Sequence, residues 1–262
     1  MFAPEFLEEP EGCSHFFQLH GRDSSTLEHN AAEFLWQSLK RGGSAILIAT
    51  DEHKLAFLTQ LARRGFNVGR ALHERRILAL DAQATLDRIL LDGYPDAARF
   101  EHVVGSIVRE TLHRNSDLPL HAYGEMVGVL WQTRQFPGAI RLEQLWNKLL
   151  RSAVDFQLFC SYPIDVFDKQ FEISMMGELL GAHTHLLSTT SNGRLESALD
   201  RAMNELLDPI VCASKSQAAF ALPSSRPVLP AGEATILWLR KNHPEEAEAV
   251  LAQARRYFEA AV

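Results

Sequence analysis

Short apolar runs alternate with longer amphipathic stretches along the first 190 residues of the chain. The short runs are almost continuously hydrophobic, which is typical of strands that are covered on both faces, as in a parallel sheet. This pattern predicts six strands. They are HFFQLH (15–20), SAILIAT (44–50), RILALDA (76–82), LPLHAYG (118–124), DFQLFCSY (155–162) and THLLST (184–189).

The stretches between these runs have helical periodicity. In the first of them, Ala32, Leu35, Trp36 and Leu39 recur at the spacing of one helix face. The alternation of strand and helix predicts right-handed crossovers and a doubly wound α/β sheet, whose ligands bind outside the carboxyl ends of the strands. The predicted helices span 28–41, 52–64, 83–91, 95–115, 138–152 and 165–181.

The strand pattern stops near residue 190. An amphipathic helix is predicted over 192–208, an extended Ser- and Pro-rich linker over 214–230, and a helical hairpin after it. We therefore divide the chain into an α/β domain over 1–190 and a helical extension over 191–262. The apolar positions of the hairpin require it to pack on the core or on a partner.

Composition excludes several classes of protein. The chain of 262 residues is 46% hydrophobic, which is enough for a substantial core. Its net charge is −7, and the sequence has no block of five like charges. Direct binding to nucleic acid is therefore not expected. The acidic N-terminus and the lack of an apolar run of about 20 residues argue against a signal peptide and a membrane span. With three dispersed cysteines and no CxxC pair, we expect a cytoplasmic protein.

The turn after the first predicted strand, HGRDSSTLEHN (20–30), resembles a phosphate-binding loop that has lost its lysine. In such a loop backbone N–H groups bind phosphate, the lysine neutralises charge and the next Ser or Thr holds magnesium. Here Leu27 and Glu28 stand near the lysine position, so efficient ATP hydrolysis is not expected. Weak anion binding at the helix N-terminus stays open. The alternative is an ordinary helix cap formed by Ser24, Ser25 or Thr26.

Polar side chains follow the other predicted strands as well. Convergence of their carboxylates in one crevice would suit a general base, metal ligands or hydrogen-bond acceptors. Taken singly, Asp51 and Asp165 are expected more often to cap helices, since both directly precede helical patterns. The residues at the strand ends are Asp51, Glu52, Asp81, Tyr123, Gly124, Glu125, Tyr162 and Asp165.

Five segments together resemble the MEDS domain, a sensory module of DcmR-type regulators. They are RGGSAILIATDE, AYGEMVGVLW, AIRLEQLWNKLL, FQLFCSYPIDVF and LLGAHTHLL, and the resemblance covers roughly residues 12–190. It implies a degenerate relative of the RecA and KaiC ATPases that senses small hydrocarbon derivatives. The most recognisable family positions fall on Gly124, Glu125, Met126, Glu143, Asn147, Cys160, Tyr162 and His183.

The resemblance also implies a signalling partner, either a histidine kinase or a transcription regulator, while a second copy of the chain is left open as a partner. We predict a RecA-like (KaiC-like) fold, no catalytic residue, no bound metal and no resident cofactor, with a nucleotide left open as a ligand. The predicted ligand-binding residues are His20, Gly21, Arg22, Asp23, Ser24, Ser25, Thr26, Asp51, Glu52, Asp81, Tyr123, Glu125, Cys160 and Tyr162.

Alternatives accompany these assignments. Cys160 lies in an apolar run and is either a small buried hydrophobe or a ligand contact. His183 and His185 would share a strand face, as in a two-histidine metal site, but no third ligand is assignable. A residual ATPase that uses Glu52 or Glu125 as base, and an interaction scaffold with a vestigial crevice, are the competing functions. No GxSxG motif occurs, so a serine hydrolase is not expected.

Overall fold

The computed structural model describes residues 14–21, 23–115, 117–153, 155–169, 171, 173–188, 193–209 and 229–260. Its centre is a six-stranded sheet in which every pairing is parallel. All six predicted strands are present, and a short antiparallel hairpin, β4–β5, is added to them. The strands are β1 His15–Leu19, β2 Ser44–Ala49, β3 Ile77–Asp81, β4 Leu90–Leu91, β5 Tyr94–Pro95, β6 Leu120–Gly124, β7 Phe156–Tyr162 and β8 His185–Leu187.

The strand order in the main sheet is β3-β2-β6-β7-β1-β8. β1 pairs with β7 on one side and with β8 on the other, so that Phe17 lies opposite Cys160 and Leu186. The side chains of β1, β2 and β7 are buried almost throughout, because helices cover both faces. The doubly wound α/β fold is therefore confirmed.

Three helices cover one face of the sheet, and their apolar side chains form one core cluster with those of the strands. They are α1 Ser25–Lys40, α2 Asp51–Arg63 and α3 Val68–His73. The other face carries a second cluster. Its elements are α4 Ala82–Ile89, α5 Ala97–Phe100, a π-helical turn Glu101–Gly105, α6 Ser106–Arg114, α7 Met126–Gln132, α8 Phe136–Arg151, α9 Ile173–Ala182, α10 Arg194–Leu206, α11 Ala231–Asn242 and α12 Pro244–Ala260.

Several helix bounds differ from the prediction. The stretch 95–115 is not one helix, because Asp96 accepts a hydrogen bond from the Arg99 backbone N–H and starts α5 anew, and a π-helical turn separates α5 from α6. The helix predicted from residue 165 begins at Ile173. The short helices α3 and α7 were not predicted, since six or seven residues carry too little periodicity.

The C-terminal helices pack on the same core as the sheet. Leu199 of α10, Ile236 of α11 and Val250 of α12 are buried in the cluster that contains Cys160 and Tyr162. The predicted hairpin is therefore seated on the α/β core. Most of the linker predicted over 214–230 lies outside the described residues. The domain boundary near residue 190 stays a prediction.

The junction between α1 and β2 depends on Gly43. A Cβ atom at this position would lie 2.2 Å from the Pro119 carbonyl oxygen and 2.5 Å from Ser38 Oγ. The Ser38 hydroxyl in turn lies 2.7 Å from the Pro119 oxygen and 2.8 Å from the Ser44 oxygen. Only glycine allows this close approach, which fixes the end of α1 against the start of β6.

Candidate functional site

A crevice of about 790 Å³ opens at the carboxyl ends of β1 and β7. β1 leads into α1 on one face of the sheet, whereas β7 leads to α9 on the other. Neighbouring strands that diverge in this way leave a gap, and this is where α/β sheets bind ligands. The turn between β1 and α1 contributes one wall, which contains His20, Gly21, Asp23, Ser25 and Thr26.

The other two walls come from later parts of the chain. The loop after β7 contributes Pro163, Ile164, Asp165, Val166, Phe167 and Asp168. The C-terminal helices close the crevice with Arg194, Leu195, Arg255, Phe258 and Glu259. The helical extension is therefore part of the crevice.

Arginines hold the C-terminal helices at the crevice. Arg255 of α12 donates hydrogen bonds to Asp165 Oδ2 at 2.6 Å and to Asp168 Oδ1 at 3.1 Å. Arg194 of α10 donates to the Phe258 carbonyl oxygen at 2.7 Å, and its guanidinium carbon lies 4.6 Å from the centre of the Phe258 ring. These contacts join α10, α12 and the loop after β7.

The turn between β1 and α1 is ordered by its own hydrogen bonds. Asp23 Oδ1 accepts from the Ser25 backbone N–H at 2.9 Å, and this bond lowers the pKa of the Asp23 carboxyl. Ser24 donates to Glu28 Oε1 at 2.9 Å. Leu27, which stands near the lysine position of a phosphate-binding loop, is 1% exposed and packs in the core. Arg22 lies outside the described residues.

Glu125, at the end of β6, is occupied by partners of its own. Its Oε2 accepts from the Thr50 backbone N–H at 2.8 Å and from the Thr50 hydroxyl at 3.1 Å, and its Oε1 lies 2.7 Å from His53 Nδ1. Burial raises the pKa of Glu125, but His53 and Thr50 lower it more, so the net shift is downward. Glu125 thus ties the end of β6 to the start of α2.

The structure disperses the other predicted site residues. Asp51 is exposed and paired with Lys54 at 2.8 Å, while Thr50 is the N-cap residue of α2. Asp81 caps α4 by accepting from the Ala84 N–H at 2.7 Å. Glu52 is exposed on α2. The buried Tyr123 hydroxyl lies 2.6 Å from Ser161 Oγ. In the described part of the chain, none of these four residues lines the crevice, so the predicted convergence holds for the β1–α1 turn and Asp165.

Cys160 and Tyr162 belong to a second group, buried between the sheet and helices α8 and α9. His15 begins β1, Glu143 lies on α8 and His183 precedes β8, and their side chains meet those of Cys160 and Tyr162. His15 Nε2 lies 3.4 Å from both Cys160 Sγ and Glu143 Oε2. All five residues are at most 3% exposed. We call His15, Glu143, Cys160 and His183 the buried cluster.

Burial sets the protonation of this cluster. It lowers the pKa of His15 to about 3, with a further contribution from the neighbouring His183. It also raises the pKa of the Cys160 thiol, which the charge of Glu143 raises further. For Glu143 burial acts upward, but His183, His15 and the Tyr162 hydroxyl outweigh it and lower the pKa to about 2. Burial thus favours the neutral forms of His15 and Cys160, whereas the neighbouring groups favour the ionised form of Glu143.

Comparison with protein families identifies the chain. The sequence model of the MEthanogen/methylotroph, DcmR Sensory domain (MEDS) matches residues 14–184. The chain belongs to the MEDS family. Among curated proteins no match is found.

The MEDS match ends before α10. It covers two walls of the crevice and all four residues of the buried cluster, whereas Arg194, Arg255 and Phe258 come from the extension beyond it. Membership of a sensory-domain family supports a sensing and regulatory role. No helix in the described ranges combines the length and apolar character that a bilayer crossing requires.

The sequence did not reveal the third crevice wall or the buried cluster as a group. Arg194, Arg255 and Phe258 lie on amphipathic helices, where nothing distinguishes a crevice residue from a solvated or packed one. Glu143 was singled out by family resemblance alone, and His183 by that resemblance and as a possible partner of His185 in a two-histidine metal site. His185, the expected companion of His183, is exposed and stacks on Phe16, whereas His183 lies against His15 with 4.1 Å between ring centres.

Proposed function

We propose that this MEDS domain is a non-enzymatic sensor that binds a small organic molecule in the crevice and reports its presence through the C-terminal helices. The observation that carries the proposal is the position of α10 and α12. These helices form a wall of the crevice at the carboxyl ends of β1 and β7. A ligand there touches the sensory core and the extension simultaneously.

The lining favours a compact ligand with an apolar body and a few polar groups. Leu195, Phe167 and Phe258 supply apolar surface. Two arginines and four carboxylates supply polar contacts, and the carboxylates are Asp23, Asp165, Asp168 and Glu259. This excess of negative side chains opposes a polyphosphate, and Leu27 provides no counter-charge. A small hydrocarbon derivative is therefore the preferred ligand, ahead of a nucleotide.

Signalling would follow from a shift between two arrangements of the extension. A ligand can shift such an equilibrium only if it binds one arrangement more tightly. The contacts of Arg255 with Asp165 and Asp168 are partly exposed and so contribute little to stability. They can therefore be exchanged for ligand contacts at low cost. A transcription regulator or a histidine kinase that docks on the extension would read the change.

The relationship to RecA-like and KaiC-like ATPases belongs to the same proposal. The turn between β1 and α1 occupies the place between strand and helix where a phosphate-binding loop would stand. The burial of Leu27 and the hydrogen bond between Ser24 and Glu28 are consistent with a loop that has lost phosphate binding. Of the residues considered as a general base, Glu52 is exposed and Glu125 is engaged by Thr50 and His53.

The proposal is tested by a thermal-shift screen of small alcohols, amines, halogenated hydrocarbons, carboxylates and nucleotides. Three proteins are compared: the wild type, Ser25→Trp and Glu52→Trp. Ser25→Trp fills the crevice from an exposed lining position, whereas Glu52→Trp adds the same side chain at an exposed position of α2. A compound class that stabilises the wild type and Glu52→Trp but not Ser25→Trp supports the proposal. Equal stabilisation of all three proteins, or of none, contradicts it.

A further inference from the structure

The donor atoms of the buried cluster lie close enough together to hold one metal ion. His183 Nε2 lies 3.2 Å from Glu143 Oε1, and His15 Nε2 lies 3.4 Å from Cys160 Sγ. The distance from Cys160 Sγ to Glu143 Oε2 is 3.8 Å, and all four ligand atoms lie within 4.8 Å of one another. Tetrahedral zinc, with bonds of about 2.0 to 2.3 Å, places its ligand atoms about 3.3 to 3.7 Å apart.

The orientation of His183 leaves its second nitrogen available. Its Nδ1 lies 2.7 Å from the Leu179 carbonyl oxygen, which can only accept, so Nδ1 carries the proton. In the neutral His183 ring, Nε2 then has a free lone pair. Nε2 is buried without a hydrogen-bond partner, and it faces a carboxylate oxygen. A lone pair pointed at a carboxylate is unfavourable unless a cation or a proton lies between them.

His15 is held in the same way. Its Nδ1 lies 3.1 Å from Asn147 Oδ1 and 3.2 Å from the Ala182 carbonyl oxygen. Asn147 donates its own N–H to that carbonyl at 2.7 Å, which fixes the amide with its oxygen toward His15. His15 Nδ1 must therefore donate, and Nε2 faces Cys160 and Glu143 as an acceptor. A hydrogen bond from the distal ring nitrogen is how proteins orient histidines that bind metals.

Glu143 completes the set. The Tyr162 hydroxyl donates to its Oε1, which orients the carboxylate and leaves the lone pairs of Oε2 toward His15 and Cys160. Two imidazole lone pairs, a carboxylate and a thiol thus converge in the buried interior. We propose that His15, Glu143, Cys160 and His183 bind one divalent transition-metal ion of the zinc class.

Charge balance favours this assignment. When a divalent cation binds, the Cys160 thiol forms a bond to the metal through sulfur and releases its proton to solvent. The thiolate and the Glu143 carboxylate then carry two negative charges, which the ion neutralises, while both histidines stay neutral. The buried site is left with no net charge. Mixed sulfur, nitrogen and carboxylate ligands suit zinc and exclude magnesium or calcium, which prefer oxygen.

Four protein ligands leave no position for a substrate, so the proposed ion is structural rather than catalytic. It joins the first residue of β1, the middle of α8, β7 and the segment that precedes β8. This role is separate from the proposed sensor function, because none of the four residues lines the crevice within the described chain.

The test uses the full chain, purified without chelators and analysed by elemental mass spectrometry. We expect one equivalent of zinc, or of another first-row divalent metal, that a strong chelator removes with a fall in melting temperature. Reconstitution of the stripped protein with cobalt(II) should give the intense visible bands of a tetrahedral ion and a near-ultraviolet sulfur-to-cobalt band. A stripped protein that binds neither zinc nor cobalt stoichiometrically overturns the proposal.

Variants locate the ion. Cys160→Ser should lose the sulfur-to-cobalt band, and His183→Gln should lower metal affinity by at least tenfold, whereas His185→Gln, a change at the exposed histidine two residues away, should bind like the wild type. If metal and cobalt spectra persist unchanged in Cys160→Ser and His183→Gln, the ion is bound elsewhere and the proposal is wrong. Should both variants fail to fold, the cobalt spectrum of the wild type still decides, since a spectrum without sulfur ligation contradicts the site.

Discussion

The imidazole of His53 and the carboxylate of Glu125 form a buried pair, with 2.7 Å between Nδ1 and Oε1. The pair connects the start of α2 to the end of β6. Because α2 follows β2, the pair lies where the neighbouring strands β2 and β6 end. Glu125 also holds the Thr50 N–H at the beginning of α2. Glu125 is consequently a structural tie between the end of β6 and the start of α2.

Replacing Glu125 with Ala should destabilise the protein by about 3 kcal/mol, because it leaves His53 and the Thr50 N–H without their acceptor in a buried place. The free energy of unfolding is measured by urea denaturation. Glu52→Ala, at an exposed position on the same helix, is the control and should change stability little. A loss for Glu125→Ala no larger than that of the control would show that the tie has little energetic weight.

The pair should depend on pH in both directions. Burial lowers the pKa of His53, but the hydrogen bond and charge of Glu125 raise it more, so it lies above 6.5, while the pKa of Glu125 lies below 4.5. Stability from Glu125 is present above pH 4.5 and falls as the pH drops through its lowered pKa. Stability from His53 is present below pH 6.5 and is lost as the pH rises through its raised pKa.

A double-mutant cycle with His53→Gln and Glu125→Gln measures this dependence. The coupling free energy should be larger at about pH 5.5 than at about pH 9, where His53 is neutral. Equal coupling at the two values would mean that the pair interacts as neutral hydrogen-bond partners, contrary to the raised pKa.

His121 should remain neutral well below the usual range for histidine. Its Nδ1 lies 2.6 Å from the Phe34 carbonyl oxygen, its ring stacks on that of Phe34, and burial lowers its pKa to about 4. The unfolded chain binds a proton at this position near pH 6.5, so stability should fall as the pH drops from there toward 4. NMR titration of the imidazole measures the pKa directly, and a midpoint near 6.5 in the folded protein would refute the assignment.

Gly43→Ala should destabilise the protein by about 1 to 3 kcal/mol, since the added methyl group overlaps the Pro119 carbonyl oxygen and Ser38 Oγ and forces the α1–β2 junction to move. Gly181→Ala on α9 is the matched control: apart from its chain neighbours and its own helix backbone, no heavy atom of the described chain lies within 4 Å of its added Cβ, and alanine favours helix. Chemical denaturation compares the two variants. If both shift stability alike, the close approach at Gly43 is not tight in solution.

Arg255→Gln should loosen α12 without unfolding the core. Its bonds to Asp165 and Asp168 are partly exposed, so global stability should change by less than about 1 kcal/mol. Hydrogen exchange of the amides in α12 should nevertheless quicken, because the helix loses its link to the loop after β7. Arg256→Gln, an exposed neighbour on the same helix, is the control. Unchanged exchange in α12 would show that apolar packing alone holds it.

Periodicity predicted the sheet well because most of its strands are buried on both faces and therefore read as unbroken apolar runs. It failed where helices are too short to show a repeating apolar pattern, as in α3 and α7. It also failed where a π-helical turn separates α5 from α6. The β1–α1 turn could be placed at the crevice because chain direction alone brings strand ends to one edge. Arg194 and Arg255 could not, since their place depends on how the extension packs.

The buried cluster shows a second limit. His15, Glu143 and Cys160 come from three separate elements and His183 from the connection between α9 and β8, and no fixed spacing links them as it does in a zinc finger. His15 and Cys160 stand on adjacent strands only because β1 is inserted beside β7. That strand order is a property of the whole fold, which local patterns do not encode.

The position of β1 also has a consequence for synthesis. Its only partners in the described sheet are β7 and β8, both of which are made late. The ribosome adds about 5 to 20 residues per second, so the apolar segment HFFQL waits roughly seven to thirty seconds for its first neighbour. During this interval it is an unpaired aggregation-prone strand. A chaperone that holds the nascent β1 segment should therefore raise the yield of folded protein, and moving β1 behind β8 by circular permutation should reduce that dependence.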